Sequence, residues 1–225
     1  HKPKIAVIGA GLIGQKHAAL LAHSASAELV GICDRDGSRA VIAQQCQAPF
    51  YQDLETLLAQ EKPEGAIIAT PNHLHAPVAE ICAAHGVHLL VEKPIADTLA
   101  DAERISRAAT AAGVQVLVGH HRRYNPLIAE TRTLIQEGAI GRLIGVSILW
   151  TIHKPDEYFQ VTWRTQRPNG GPALINLIHE VDALRFLCGE IIQVYAQSSS
   201  AIRGFAVEDS LAATLTFANG ALGAV

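Results

Sequence analysis

Lys4 to Gly14 reads KIAVIGAGLIG. Lys4 to Ile8 is a short apolar run behind a single lysine, suited to a parallel strand buried on both faces. It passes directly into Gly9-Ala10-Gly11-Leu12-Ile13-Gly14, a GxGxxG turn, and then into a helix-compatible segment, Gln15 to His23. In a strand–turn–helix each glycine has its own reason. Gly9 permits the tight turn, Gly11 lets a pyrophosphate approach the backbone, and Gly14 lets the helix lie close to the strand. The helix N-terminus offers unpaired N–H groups and partial positive charge to phosphates, which adds Leu12 and Ile13 to the expected cofactor-binding residues.

A GxGxxG on its own is weak, and its plain reading is a turn in a βαβ unit with no nucleotide. The context here raises it. A second strand-like run, Glu28 to Cys33, ends in Asp34, twenty residues past Gly14. A carboxylate at that place accepts hydrogen bonds from the adenine ribose. Asp34 also favours NAD over NADP, because it repels a 2′-phosphate. Arg35 next to it either stacks on adenine or binds that phosphate, so NADP stays open.

The chain has 225 residues, 49% of them hydrophobic, which is enough for a sizeable core and excludes disorder. Net charge is −3 with no basic block, so sequence-independent nucleic-acid binding has no electrostatic support. No apolar stretch approaches membrane-spanning length and no signal peptide is recognised before the first strand, so no membrane partner and a cytoplasmic location are expected. The four cysteines, Cys33, Cys46, Cys82 and Cys188, form no CxxC pair. Reduced thiols filling core positions are the expectation, and no metal site.

Further along, strand and helix patterns alternate. Helices are expected over Gly37 to Gln47, Leu54 to Gln60 (capped by Asp53), His73 to His85 and Thr98 to Ala112. Strands are expected over Ala66 to Thr70, Val87 to Val91 and Val114 to Gly119. This pattern predicts a doubly wound parallel sheet, a Rossmann domain over residues 1–122, with right-handed crossovers and a ligand beyond the carboxyl ends of the strands. Asp34, Thr70-Pro71-Asn72 and Glu92-Lys93 fall at those ends, as do His120 to Arg123. After one more helix, Tyr124 to Gln136, strands lengthen: Leu143 to Ile152, Ile191 to Ser199 and Ser210 to Phe217, with a hairpin at Asn219-Gly220. Residues 123–225 therefore read as an α+β domain on a mainly antiparallel sheet, with too few strands to look finished.

Several stretches carry a family resemblance: GAGLIG at Gly9 to Gly14, ATPNHLHAPVA at Ala69 to Ala79, VEKPIA at Val91 to Ala96, Trp163-Arg164, and GGPALINLIHEVD at Gly170 to Asp182. The chain resembles the glucose-fructose oxidoreductase / inositol dehydrogenase / rhizopine-catabolism (Gfo/Idh/MocA) family of NAD(P)-dependent oxidoreductases. The resemblance implies hydride transfer between nicotinamide and a carbinol carbon of a sugar, cyclitol or related polyhydroxy compound. Lys93 would touch the reacting hydroxyl and the nicotinamide ribose, and His179 would be the proton-transfer residue. Thr70, Pro71, Asn72, His75 and Glu92 would line the cofactor. Beside what the resemblance implies, Arg122 and Arg164 are expected to bind a substrate carboxylate bidentately, and Tyr124, Trp163 and Asn176 complete the expected substrate-binding residues.

Members of the family are usually longer and commonly associate through the second-domain sheet. A homodimer or homotetramer, and a second domain incomplete at its C-terminus, are therefore expected. Many members carry an aspartate four residues before the histidine, where this chain has Ile175. On a helix Ile175, His179 and Asp182 would form one stripe, with Asn176 about 60° round from His179. Asn176 can orient a hydroxyl but cannot store a proton. Two other readings stay open: a dihydrodiol or hydroxy-acid dehydrogenase that uses the arginines, and a non-catalytic NAD(P)-binding regulatory protein.

Overall fold

The computed structural model describes all of residues 1–225. It divides into two compact units, His1–Gly119 and His120–Val225. In the first, the strands are β1 (Lys4–Ile8), β2 (Glu28–Cys33), β3 (Phe50–Tyr51), β4 (Gly65–Ile68), β5 (His88–Val91) and β6 (Val116–Val118). They form one wholly parallel sheet in the order β3-β2-β1-β4-β5-β6. This is the doubly wound order that reverses between β1 and β4 and places a ligand crevice there.

Between the strands lie α1 (Leu12–Ala22), α2 (Ala40–Gln45), α3 (Leu54–Glu61), α4 (His75–Ala84) and α5 (Leu99–Ala112). Alternation along β1 explains the layering. Ala6 and Ile8 face a core built with Leu57, Ala79, Cys82 and Ile105, while Val7 faces a second core with Ala18, Ile32 and Ala43. Each fully buried aliphatic side chain of this kind contributes about 1.5–3 kcal/mol. The strands are apolar on both faces because helices cover both.

The second unit holds α6 (Pro126–Gln136), β7 (Gly145–Ser147), α7 (Ile178–Cys188), β8 (Ile191–Ser199), β9 (Ser210–Phe217) and β10 (Leu222–Ala224). Its sheet runs β7-β10-β9-β8, antiparallel except for the parallel β7–β10 pair. Leu184 and Cys188 of α7 pack on Leu215, Phe217 and Ala221. On the opposite face, Tyr195 and Leu222 are exposed.

Two expectations need correction here. The strand expected over Leu143 to Ile152 is regular only over Gly145–Ser147, where it pairs with Leu222 to Ala224 of β10, and Leu149 beyond it is exposed. The segment before His179 is not α-helical throughout: Ala173–Leu177 is a π-helical turn leading into α7. Its wider winding shifts Ile175 and Asn176 from the α spacing on which the expected stripe depends. No helix is long and apolar enough to cross a membrane, and all four cysteines are free.

Candidate functional site

Four backbone hydrogen bonds set the carboxyl ends of five neighbouring strands of the first unit, β2, β1, β4, β5 and β6, in one row. Gly9 N donates to Cys33 O (2.7 Å), Ala69 N to Ile8 O (2.8 Å), Glu92 N to Ile68 O (2.9 Å) and Gly119 N to Val91 O (2.7 Å). The glycine turn follows β1, between the ends of β2 and β4. Gly9 has φ +94°, and a Cβ there would lie 2.8 Å from the Ala69 and Thr70 backbone. A Cβ on Gly14 would lie 1.8 Å from Gly9 O. Around Gly11, in contrast, nothing lies within 4 Å of a built Cβ. The outer glycines are demanded by the fold, and the middle one keeps space open above the backbone. Gly11 caps α1 without any side-chain bond, so the first-turn N–H groups are left to a ligand or water.

Asp34 is anchored to this turn. Its Oδ2 accepts from Ala10 N (2.6 Å) and its Oδ1 from Asp36 N (2.9 Å). Each oxygen keeps a second lone pair, so the carboxylate is oriented by the protein and still able to accept from a diol. Arg35 is exposed. Thr70 Oγ1, beside the Gly9 contact, is buried and has no hydrogen-bond partner. A buried orphan hydroxyl, an open space over Gly11, uncapped N–H groups and an oriented carboxylate together fit a dinucleotide.

The other expected cofactor residues divide by depth. Pro71 leads into a short 3₁₀ turn, Asn72–Leu74, where the buried Asn72 accepts from His73 N through Oδ1 (3.0 Å). His75 is 1% exposed. Its Nε2 faces Thr70 O at 2.9 Å, and its Nδ1 faces Pro94 O and Ile95 O at 3.0 and 3.2 Å. It therefore ties the turn after β4 to the turn after β5, and does not itself present a ring nitrogen outward. Burial pushes its pKa down, against the opposing pull of those carbonyl oxygens.

Glu92 is similarly engaged. His17 Nε2 on α1 donates to its Oε1 (2.7 Å), and Lys93 N donates to its Oε2 (3.1 Å). Burial raises its pKa, but the His17 and Lys93 contacts outweigh burial and leave it below the usual value. Glu92 thus fixes the backbone of Lys93, whose bond to Pro94 is cis. His17 was not foreseen from the sequence. Its only signal is its place three residues past Gly14, on the first helix turn after the phosphate-facing one.

In the second unit a short 3₁₀ turn, His121–Tyr124, lies against α7. Arg122 donates to Glu180 (2.5 Å) and Arg123 holds Asp182 through two nitrogens. Both carboxylates are buried, so each pairing removes an otherwise uncompensated charge. His179, between them in sequence, meets His121 edge-on at 5.1 Å between ring centroids. Tyr124 is exposed. The Gly170-Gly171 pair has a local reason: a Cβ on Gly170 would lie 2.3 Å from Arg164 O, and Gly171 has φ +100°. The Trp163-Arg164 backbone can therefore pass close by only over glycine.

This unit also contains a cavity of about 570 Å³. Arg164 and Asn176 line it; Arg122, Tyr124, Trp163 and His179 do not. Lys154, Tyr158, Phe159, Arg203 and Phe205 line it too; they lie in a short 3₁₀ turn, Asp156–Gln160, or in irregular chain, where no hydrophobic period marks a side chain as inward-facing.

Residues 3–120 match the model of an oxidoreductase family with an NAD-binding Rossmann fold, and residues 128–225 match the GFO/IDH/MocA C-terminal domain. This chain belongs to the Gfo/Idh/MocA oxidoreductase family. Among relatives in this family, it is 29% identical over 187 residues to 2,7-anhydro-N-acetylneuraminate hydratase of Mediterraneibacter gnavus, covering 82% of this chain and 49% of that protein. It is 29% identical to D-apiose dehydrogenase of Paraburkholderia graminis, covering 96% of this chain and 58% of that protein. Its structure resembles the crystal structure of the WlbA dehydrogenase from Bordetella pertussis in complex with NADH and UDP-GlcNAcA. The TM-score is 0.92 at 30% identity, covering 100% of this chain and 66% of that one. The chain thus spans about half to two thirds of the length of these Gfo/Idh/MocA proteins.

Proposed function

We propose that this chain is part of an NAD-dependent oxidoreductase acting on the CH–OH group of a sugar, cyclitol or related polyhydroxy compound. The observation that carries the reading is the cradle over Gly11: open space and uncapped N–H groups on one side, the oriented carboxylate of Asp34 on the other. The family match and the dehydrogenases among the relatives support the same reading. Asp34 favours NAD, and NADP is the weaker alternative.

When bound, NAD supplies the carbon that accepts or returns the hydride. The chain's own residues do the rest. The backbone of the glycine turn, with Leu12 and Ile13 of the first helical turn, holds the pyrophosphate, and Asp34 accepts from the adenine ribose. Thr70, Pro71 and Asn72 form the turn that borders the nicotinamide end, and His75 locks it to the turn carrying Lys93. Lys93 polarises or deprotonates the substrate hydroxyl, with Glu92 fixing its backbone. The second unit contributes His179 to proton transfer and Asn176 as a hydroxyl ligand. Self-association as a homodimer or homotetramer is supported by the exposed face carrying Tyr195 and Leu222. A cytoplasmic location is supported by four free thiols.

The test is Lys93→Ala, measured by NADH fluorescence and by turnover across a panel of polyols. Turnover should fall at least ~100-fold while NADH affinity stays within about threefold. Turnover near the wild-type rate would remove Lys93 from the chemistry.

A further inference from the structure

We propose that the cavity of the second unit binds a small carboxylated ring compound, a sugar acid or cyclic hydroxy acid, through Arg164 and Lys154. This goes beyond the reading above: the cavity is lined by neither Lys93 nor His179, and binding there does not depend on hydride transfer. At about 570 Å³ the cavity has the size of a small-molecule site.

Three cations stand on its wall: Lys154, Arg164 and Arg203. Arg203 is neutralised, donating to Asp156 (2.9 Å) and to Lys154 O (3.1 Å). Lys154 and Arg164 pair with no carboxylate. Instead both lie against one aromatic ring. The Arg164 guanidinium is 4.2 Å and the Lys154 Nζ 4.9 Å from the centroid of Tyr158. Arg164 is also fixed by donating through Nη1 to Tyr158 O (3.0 Å). Two positive charges held on the same ring with no counter-charge create a potential that an anion relieves. A guanidinium held in one orientation is suited to a carboxylate.

The acids on the wall do not fill that role. Glu208 accepts from Ala173 N (2.9 Å) and pairs with Arg167, which is outside the lining. Asp209 accepts from Ile202 N and Arg203 N (2.9 and 3.0 Å). Both are held on backbone donors. The remaining lining suits a ring. Phe159 and Phe205 stack at 5.4 Å and Trp150 adds a further apolar face. Asn176 Nδ2 donates to Tyr158 Oη (3.4 Å), leaving its carbonyl oxygen to accept from a ligand hydroxyl.

The experiment is calorimetric titration of the whole chain, without nucleotide, with D-glucuronate and with D-glucose, which differ at one carboxylate. Glucuronate should bind at least ~10-fold more tightly, and its affinity should fall at least ~3-fold as salt rises from low to physiological strength. Arg164→Met should abolish the preference. Lys154→Met, which removes a charge that makes no hydrogen bond, should reduce it and guards against a folding defect in the first variant. Equal affinities, no glucuronate binding at ~10 mM, or a preference that survives in both variants would overturn the proposal. Hydride transfer to neutral polyols with no carboxylate preference would remove this inference and leave the oxidoreductase reading. Carboxylate-selective binding in a chain that does not bind NADH would do the reverse.

Discussion

His75 sits buried between the carbonyl oxygens of Thr70, Pro94 and Ile95, with its pKa pushed below the usual 6.5 by burial. The unfolded chain then takes up the proton before the folded one does. This contribution to stability is complete above pH 6.5 and is lost as pH falls through 6.5 toward the lower folded value. The melting temperature of the wild type should therefore drop between about pH 7 and about pH 5. His75→Gln should melt lower throughout but with a flatter slope over that window; an equal slope would assign the proton to another group. At this scale, position was legible in the sequence and orientation was not. The spacing from Gly14 placed Asp34 at the end of β2, yet nothing in the spacing says that its oxygens also take Ala10 N and Asp36 N. Likewise the motif marks Glu92 without saying that its oxygens accept from His17 and from Lys93 N, because the α1 side chain arrives from far away in the chain.

Helix ends in the first unit follow local chemistry closely. Thr98 caps α5, accepting from Asp101 N (3.1 Å) while its hydroxyl donates to Asp101 Oδ2 (2.8 Å), and Gly113 closes the helix at φ +68°. Thr98→Ala should cost about 1 kcal/mol, seen as a lower urea midpoint at unchanged slope. A loss near zero would mean that α4 and α5 packing alone fixes the start of the helix. Such caps, with apolar runs of strand length, made the order of elements in this half readable. The second unit was harder to read, because strand length there depends on a partner. The run from Leu143 to Ile152 pairs with β10 over Gly145–Ser147, and the π-helical turn at Ala173–Leu177 leaves no mark in a pattern judged by α spacing.

Across the whole chain, each unit has its own feature: the first the glycine turn with its oriented carboxylate, the second an aromatic and cationic cavity. The glycine turn makes the first separable from mere folding, since its glycines differ in what surrounds them. A methyl group at Gly14 meets the Gly9 carbonyl, so Gly14→Ala should destabilise by about 1–3 kcal/mol or more. A methyl group at Gly11 meets no protein atom, so the fold should keep its stability to within about 1 kcal/mol. The decisive measurement is an NADH fluorescence titration of the whole chain and of Gly11→Ala, with thermal unfolding of both. The wild type should bind, and Gly11→Ala should bind at least ~10-fold more weakly at nearly the same melting temperature. A wild type that does not bind NADH, or a Gly11→Ala variant that binds it as tightly, would contradict the assignment of this turn to a dinucleotide.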